Sequence, residues 1–167
     1  MYQAHAPKIN TLINSLNRKA FAGVIELVPG DMDGIFRLKD ALEKGEIIAI
    51  LGDRFPPCGK QRAEYAKFLG ESALFPKNVW IIAGLLGCPV YLAFALRSGC
   101  RRYCVILEKL TEKINLSREN RDQDIQPYLA RYVRKIEDIC CQYPYQWFNF
   151  YHFWEGDVDE DKSHACR

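Results

Sequence analysis

Hydrophobic and polar residues follow recognisable periods in the first third of the chain. Apolar residues recur at helical spacing over residues 5–19, and the run GVIELV at residues 23–28 predicts a short strand. The pattern then predicts a helix that begins at one of two aspartates and ends at Gly45. The run EIIAIL at residues 46–51 is apolar without alternation, which predicts a strand buried on both faces.

The rest of the chain predicts a helix, a hairpin and a second, longer helix. Residues 75–87 form the first of these helices, with Pro76 at its start. Apolar runs at residues 88–96 and 102–110 flank a short turn and predict an antiparallel hairpin. The long helix carries one apolar stripe that we expect to pack on a sheet, made of Ile125, Leu129, Tyr132, Val133, Ile136 and Cys140.

The order strand, helix, strand over residues 23–51 indicates a βαβ unit with two parallel strands. We therefore expect an α/β fold, with a mixed, largely parallel sheet flanked by helices. Residues 1–154 are expected to form a single domain of this kind. The acidic residues 155–167 are expected to form a disordered tail.

The charge of the chain is small but unevenly distributed. The net charge is +2, and five of the 21 acidic residues lie in EGDVDED at residues 155–161. The body that precedes them is therefore basic, which suits an anionic ligand or membrane surface, or simply an ordinary solvated surface. No run of about 18 consecutive apolar residues is present, so we expect any membrane association to be peripheral.

The chain contains seven cysteines and no CxxC pair. This pattern predicts free thiols in a reducing cytoplasm. No histidine and cysteine stand at the spacing of metal ligands, so we expect no metal site.

Polar groups that could bind a substrate follow the predicted strand at residues 46–51. Asp53 and Arg54 come directly after it, at the carboxyl end where α/β sheets bind ligands. Arginine offers a planar fork for phosphate or carboxylate, and aspartate can hold that arginine or a sugar hydroxyl. The alternative is a purely structural ion pair. Gly70 precedes a predicted helix start, where backbone N–H groups favour anions, so we add it to the candidate site.

Other functional motifs are weak or absent. Arg97, Arg101 and Arg102 cluster at the predicted hairpin turn, a pattern more typical of a solvated surface than of a nucleic-acid platform. The chain contains no GxSxG elbow, no P-loop and no GxGxxG motif. His152 stands five residues before Asp157, but the chain has three histidines and an acidic tail directly follows His152, so that spacing readily arises by chance. We therefore do not assign His152 a catalytic role.

Four blocks in order, GEIIAILGDR, FLGESALFP, CPVYLAF and PYQWFNFYHFW, carry a family resemblance. With them the chain resembles the lipid A biosynthesis (lauroyl/myristoyl) acyltransferase family of the lysophospholipid acyltransferase superfamily, from about residue 5 to residue 154, which is nearly the whole chain. The resemblance implies transfer of a fatty acyl group from acyl carrier protein or coenzyme A to a hydroxyl or amine of a lipid-like acceptor. It also implies no prosthetic group, and a peripheral location on the cytoplasmic side of the bacterial inner membrane.

The family's catalytic His-x4-Asp/Glu motif lies upstream of the segment that matches the start of this chain. The resemblance is thus to the carboxyl-terminal part of an acyltransferase, and we expect no catalytic residue within residues 1–167 and no activity of this part alone. Asp53 and Arg54 match the family's Asp-Arg/Gln block, and Gly70 matches its Phe-Phe-Gly block. The alternative function is a non-catalytic module that binds lipid or acyl carrier protein. Strands missing upstream would leave a sheet edge exposed, so self-association is also expected, whereas nucleic-acid binding is not.

Overall fold

The computed structural model describes Ile25, Leu27, residues 32–55 and 63–149, Phe153 and Trp154. The chain divides into two compact units, Met1–Ile50 and Leu51–Arg167. The predicted helix at residues 5–19, the strand at residues 23–28 and the acidic tail lie wholly or almost wholly outside the described residues.

The first unit contains helix α1, Met32–Glu43. Asp33 lies in its first turn, where the positive end of the helix dipole favours a carboxylate. Gly45 follows the helix with a φ of 79° and ends it, because a residue with a Cβ rarely adopts that conformation. The predicted helix in this region is confirmed.

The second unit begins with a hairpin that the sequence patterns did not predict. Strand β1, Ala63–Phe68, pairs antiparallel with strand β2, Glu71–Pro76. The turn consists of Leu69 and Gly70, whose φ angles of 53° and 93° match a type I′ turn. Three side chains of the hairpin are fully inaccessible to solvent: Phe68, Ala73 and Phe75.

A short helix and a second hairpin follow. Helix α2, Asn78–Leu86, ends at Gly87, which has a φ of 64° and donates its backbone N–H to the Ala83 carbonyl. Strands β3, Val90–Gly99, and β4, Arg102–Thr111, pair antiparallel as predicted. The predicted helix and hairpin are therefore confirmed, except that Pro76 belongs to β2 and not to the start of α2.

Helix α3, Arg121–Gln142, covers the hairpins with the predicted apolar stripe. The helix buries Ile125, Leu129, Val133, Ile136, Ile139 and Cys140; Ile139 is an addition to the predicted stripe, and Tyr132 of that stripe is half-buried. Most of them join the hairpin residues in one hydrophobic cluster. Since each of these elements is too small to bury its apolar face alone, the stripe of α3 stabilises both hairpins.

Two polar contacts hold α3 in place at its amino-terminal end. The Lys77 ammonium lies 3.1 Å from Glu64 of β1 and 3.1 Å from Asp122 of α3. Burial disfavours the ammonium, but the hydrogen bonds to Asp122 and Glu64 outweigh it and raise the pKa of Lys77. The backbone N–H and hydroxyl of Ser117 both donate to Asp124, each at 2.6 Å, and they lower the pKa of that carboxyl.

The expected α/β fold is wrong for the part of the chain that the structure describes. It shows two separate antiparallel two-stranded sheets and three α-helices, with no parallel pair of strands. Residues 46–51 have no strand partner there, and Ile47 is 95% exposed. The error has a physical cause: a short apolar run shows that a segment can pair as a strand but does not identify its partner. The local type I′ turn instead commits residues 63–76 to a hairpin.

The first prediction concerns the turn between β1 and β2. We expect Gly70→Ala to lower the free energy of unfolding by about 1 kcal/mol, because an alanine Cβ disfavours positive φ. Space is not the cause, since a Cβ built at Gly70 meets no atom within 4 Å. Gly70→Asn is the matched control: asparagine tolerates this conformation, so its urea midpoint should stay close to the wild type. Equal losses in the two variants would contradict the turn assignment.

The second prediction concerns the contact between Ser117 and Asp124. Because the folded pKa of Asp124 is lowered from 3.8, its contribution to stability is present above that value. It is lost as the pH falls through the lower folded pKa. We expect Asp124→Asn to unfold at lower urea than the wild type at neutral pH, and the difference to vanish in acid. A difference that is the same at both pH values would show that the carboxylate charge contributes nothing.

Candidate functional site

The segment at residues 143–154, here called the terminal aromatic segment, is where distant parts of the second unit meet. A 3₁₀ turn, Pro144–Gln146, begins it after α3. Its described residues contact two of the three other blocks on which the family resemblance depends, and they also contact Arg97 of β3, three residues beyond the CPVYLAF block. These contacts define the candidate site.

Phe68 at the end of β1 is the centre of the aromatic packing. Its ring lies 5.2 Å from that of Trp147 and 5.5 Å from that of Phe153, both edge to face. The ring of Trp154 stacks on it at 6.0 Å, and the indole N–H of Trp154 donates to the Phe68 carbonyl at 3.1 Å. Trp154 also forms an isolated antiparallel bridge with Ala73 of β2. The segment is thereby fixed to the first hairpin.

Arg54 connects the loop after residue 51 to the same segment. Its guanidinium donates to the Phe148 carbonyl at 3.1 Å and to the Asn149 side-chain oxygen at 3.4 Å. The Asp53 carboxylate lies 3.5 Å from Arg54 Nε. These neighbours fix the plane of the guanidinium, while 32% of the Arg54 side chain stays exposed. An oriented, accessible guanidinium can bind a phosphate or a carboxylate through paired hydrogen bonds.

The Tyr132 side chain of helix α3 lies against this loop and fixes its position. A Cβ built at Gly52 would lie 2.5 Å from the Tyr132 hydroxyl, so only glycine allows this close approach. The Tyr132 ring in turn lies 5.6 Å from that of Trp80 and 6.2 Å from that of Phe75. The position of Asp53 and Arg54 therefore depends on the core behind them.

Gln146 makes the third connection, to the second hairpin. Its side-chain oxygen accepts the Arg97 backbone N–H at 2.6 Å, and its side-chain N–H donates to the Arg97 carbonyl at 3.1 Å. The amide group thus pairs with the edge of β3 as a neighbouring strand would.

The structure brings some of the predicted site residues together and separates another. Asp53 and Arg54 are adjacent and interact, but they do not follow a strand of a parallel sheet, so that reason for choosing them fails. Gly70 lies in the turn between β1 and β2, and β2 follows it instead of a helix. Its positive φ gives Gly70 a structural role, and its substrate-binding role stays a prediction.

Sequence patterns did not assign three hydrogen-bonding groups to the site: the side chains of Asn149 and Gln146 and the backbone carbonyl of Phe148. Gln146 was recognised only as part of the terminal block, and no local pattern links position 149 to position 54. The separation of 95 residues between Arg54 and Asn149 explains this, because only the folded chain brings them within hydrogen-bonding distance.

The described residues offer neither an activated cysteine nucleophile nor a cluster of metal ligands. Burial raises the pKa of the Cys140 thiol to about 11, with smaller effects from Cys141, Asp53 and Glu137. A thiol with that pKa stays protonated and is a poor nucleophile at neutral pH. The described part of the chain holds no group of three potential metal ligands. His152 lies outside it.

The comparisons with known proteins do not add to this picture. No protein-family model, no curated protein and no solved structure matches the chain. Among the described residues, no helix is both long enough and apolar enough to cross a bilayer.

Two phenylalanines of the terminal aromatic segment provide the third prediction. Phe153 is 7% exposed within the core, whereas Phe148 is 66% exposed. We expect Phe153→Ala to lower the free energy of unfolding by about 3 to 5 kcal/mol because it leaves a cavity. Phe148→Ala, the matched control, should change it by less than about 0.5 kcal/mol. Chemical denaturation measures both values, and a larger loss for Phe148→Ala would contradict the packing described above.

Proposed function

We propose that this chain is the acceptor-binding, carboxyl-terminal part of an acyltransferase. The enzyme would transfer a fatty acyl group from acyl carrier protein or coenzyme A to a hydroxyl or amine of a lipid-like acceptor at the cytoplasmic side of the inner membrane. The observation that carries the proposal is the contact of Arg54 with Phe148 and Asn149. It joins the GDR block to the QWFN block, two of the four blocks on which the family resemblance rests.

The chemistry of this site suits acceptor binding rather than acyl transfer itself. Arg54 presents oriented N–H groups that can bind an anionic acceptor group such as a phosphate, while Asp53 holds the guanidinium in place. Transfer requires a base that removes the proton of the acceptor hydroxyl while the oxygen attacks the thioester carbonyl and the thiol leaves. By the resemblance, that base is the histidine of the His-x4-Asp/Glu motif, which the family places upstream of the matched segment.

Binding of a soluble phospholipid tests the role of Arg54. We expect residues 1–167 to bind a short-chain phosphatidic acid below its micellar concentration, and Arg54→Gln to weaken that binding roughly tenfold to a hundredfold. This range follows from the value of a hydrogen bond to a charged group, about 1.5 to 3 kcal/mol. Arg54→Lys keeps the charge but loses the planar fork, so its affinity should be intermediate. Isothermal titration calorimetry measures the affinity of the wild type and of the two variants.

The control variant is Arg134→Gln, which removes the same charge from an exposed position of α3. It should bind like the wild type. Unchanged binding by Arg54→Gln, or an equal loss in Arg134→Gln, would show that Arg54 is not the anion-binding group.

An acyl-transfer assay separates the enzyme from a module that only binds lipid. The donor is an acyl carrier protein thioester, and the samples are residues 1–167 and a chain extended by the in-frame sequence upstream of Met1. Activity of the extended chain that depends on an upstream histidine supports the proposal. Turnover by residues 1–167 that is lost in His152→Ala would contradict it, and lipid binding without turnover in either sample favours the non-catalytic module.

A further inference from the structure

The hairpin β3–β4 has one face that packs on the core and one that does not. Leu92 and Leu96 of β3 and Leu110 of β4 are buried. The side chains that alternate with them form what we call the outer face of the hairpin: Tyr91, Ala93, Ala95, Arg97, Tyr103, Val105, Leu107 and Lys109.

The outer face is apolar although it is exposed. Tyr103 is 70% exposed, Leu107 65%, Val105 63% and Tyr91 48%. Val105 pairs with Ala95 and Leu107 with Ala93, so the apolar side chains are direct cross-strand neighbours and form one continuous patch. A sheet face that contacts only water usually carries polar side chains. A continuous apolar patch on an exposed face therefore marks an interaction surface.

Positive charge surrounds this patch at the turn. Arg97, Arg101 and Arg102 are exposed around the turn, next to Tyr103. The hairpin contains four basic residues and one acidic residue, Glu108. Glu108 lies on the opposite face and pairs with Lys135 of α3 at 2.5 Å.

The far end of the patch is close to neutral. The Lys109 ammonium pairs with Glu112 at 2.6 Å and lies 5.5 Å from the centre of the Tyr91 ring. The outer face therefore combines aliphatic side chains, a tyrosine at each end and a cationic turn, with no carboxylate among its own residues.

This combination identifies the partner by its chemistry. A second copy of the chain would offer no carboxylate to the arginines from its own outer face. A nucleic acid would satisfy the arginines but not the aliphatic side chains of Val105 and Leu107. An anionic phospholipid surface satisfies both, because its headgroups attract arginine and its interface accepts tyrosine and aliphatic side chains.

We propose that the outer face of β3–β4 docks on an anionic phospholipid bilayer, with the arginines at headgroup level and Val105 and Leu107 in the interface. The inference rests on the proposed function in that a lipid-like acceptor would be reached from the same membrane. It adds the surface and the orientation of docking, which the site around Arg54 does not specify.

Vesicle co-sedimentation tests the charge requirement. We expect residues 1–167 to bind vesicles of mixed phosphatidylglycerol and phosphatidylcholine, and to bind vesicles of phosphatidylcholine alone much more weakly. One arginine near an anionic surface contributes about a fivefold factor in affinity, so the double substitution Arg101→Gln and Arg102→Gln should weaken binding about 25-fold. Arg131→Gln with Arg134→Gln removes the same charge from exposed positions of α3 and should leave binding unchanged.

Tryptophan fluorescence tests the insertion of the patch. Tyr103→Trp should give a blue shift with anionic vesicles and be quenched by brominated lipid, beyond the signal of the native tryptophans. Tyr65→Trp, placed on the other hairpin, should give neither effect. Val105→Asp should weaken vesicle binding at least tenfold while circular dichroism shows that the variant stays folded, since Val105 is exposed.

Several outcomes would overturn the proposal. Equal binding by the Arg101/Arg102 and Arg131/Arg134 variants, or no effect of Val105→Asp, would show that the bilayer contacts another surface. A blue-shifted signal from the Tyr103→Trp variant without vesicles would show that this chain itself covers the face, and a signal that depends on protein concentration would show that a second copy does. Binding of a single-stranded oligonucleotide that is lost in the Arg101/Arg102 variant, without vesicle binding, would identify a nucleic acid instead.

Failure of the docking surface and failure of the proposed function give different results. Binding of soluble phosphatidic acid at Arg54 needs no bilayer, so loss of vesicle binding with intact calorimetric binding rejects only the docking surface. If the wild type binds vesicles and Arg54→Gln binds phosphatidic acid as tightly as the wild type, only the role of Arg54 is rejected.

Discussion

The packing of aromatic rings around Phe68 is the interaction on which the second unit depends. Phe68 is fully buried at the end of β1, and rings from the terminal aromatic segment close around it. Such pairs gain stability both from the area they bury and from edge-to-face geometry. A two-stranded hairpin is marginal by itself, so β1 and β2 persist because this packing and the stripe of α3 cover their apolar face.

The same packing creates the candidate site. Trp147 packs against Phe68, and the two residues that follow it, Phe148 and Asn149, accept hydrogen bonds from Arg54. The site is thus a consequence of the core and not an addition to it. Gln146 shows the same dependence, because its amide group reaches the edge of β3 only when the 3₁₀ turn is in place.

The two proposed surfaces have different physical origins. The site around Arg54 is built from polar groups that orient each other, whereas the outer face of β3–β4 is left over when the opposite face of that hairpin packs on α3. Both carry positive charge, in accord with the basic body of the chain. The two proposals therefore share one physical basis, which is the attraction of an anionic partner to arginine side chains.

The sequence by itself determined the elements whose signals are local. Helix α1 ends at a glycine, the stripe of α3 recurs at helical spacing, and the second hairpin has two apolar runs around a short turn; each needs only neighbouring residues to form. The sequence predicts Asp53 and Arg54 as site residues, but the structure contradicts the topological reason for that prediction. Tertiary structure alone decided that β1 pairs with β2, that residues 46–51 have no strand partner in the described chain, and that Asn149 lies beside Arg54. Strand pairing and contacts across 95 residues depend on loop closure and on competition between partners, and no local period records either.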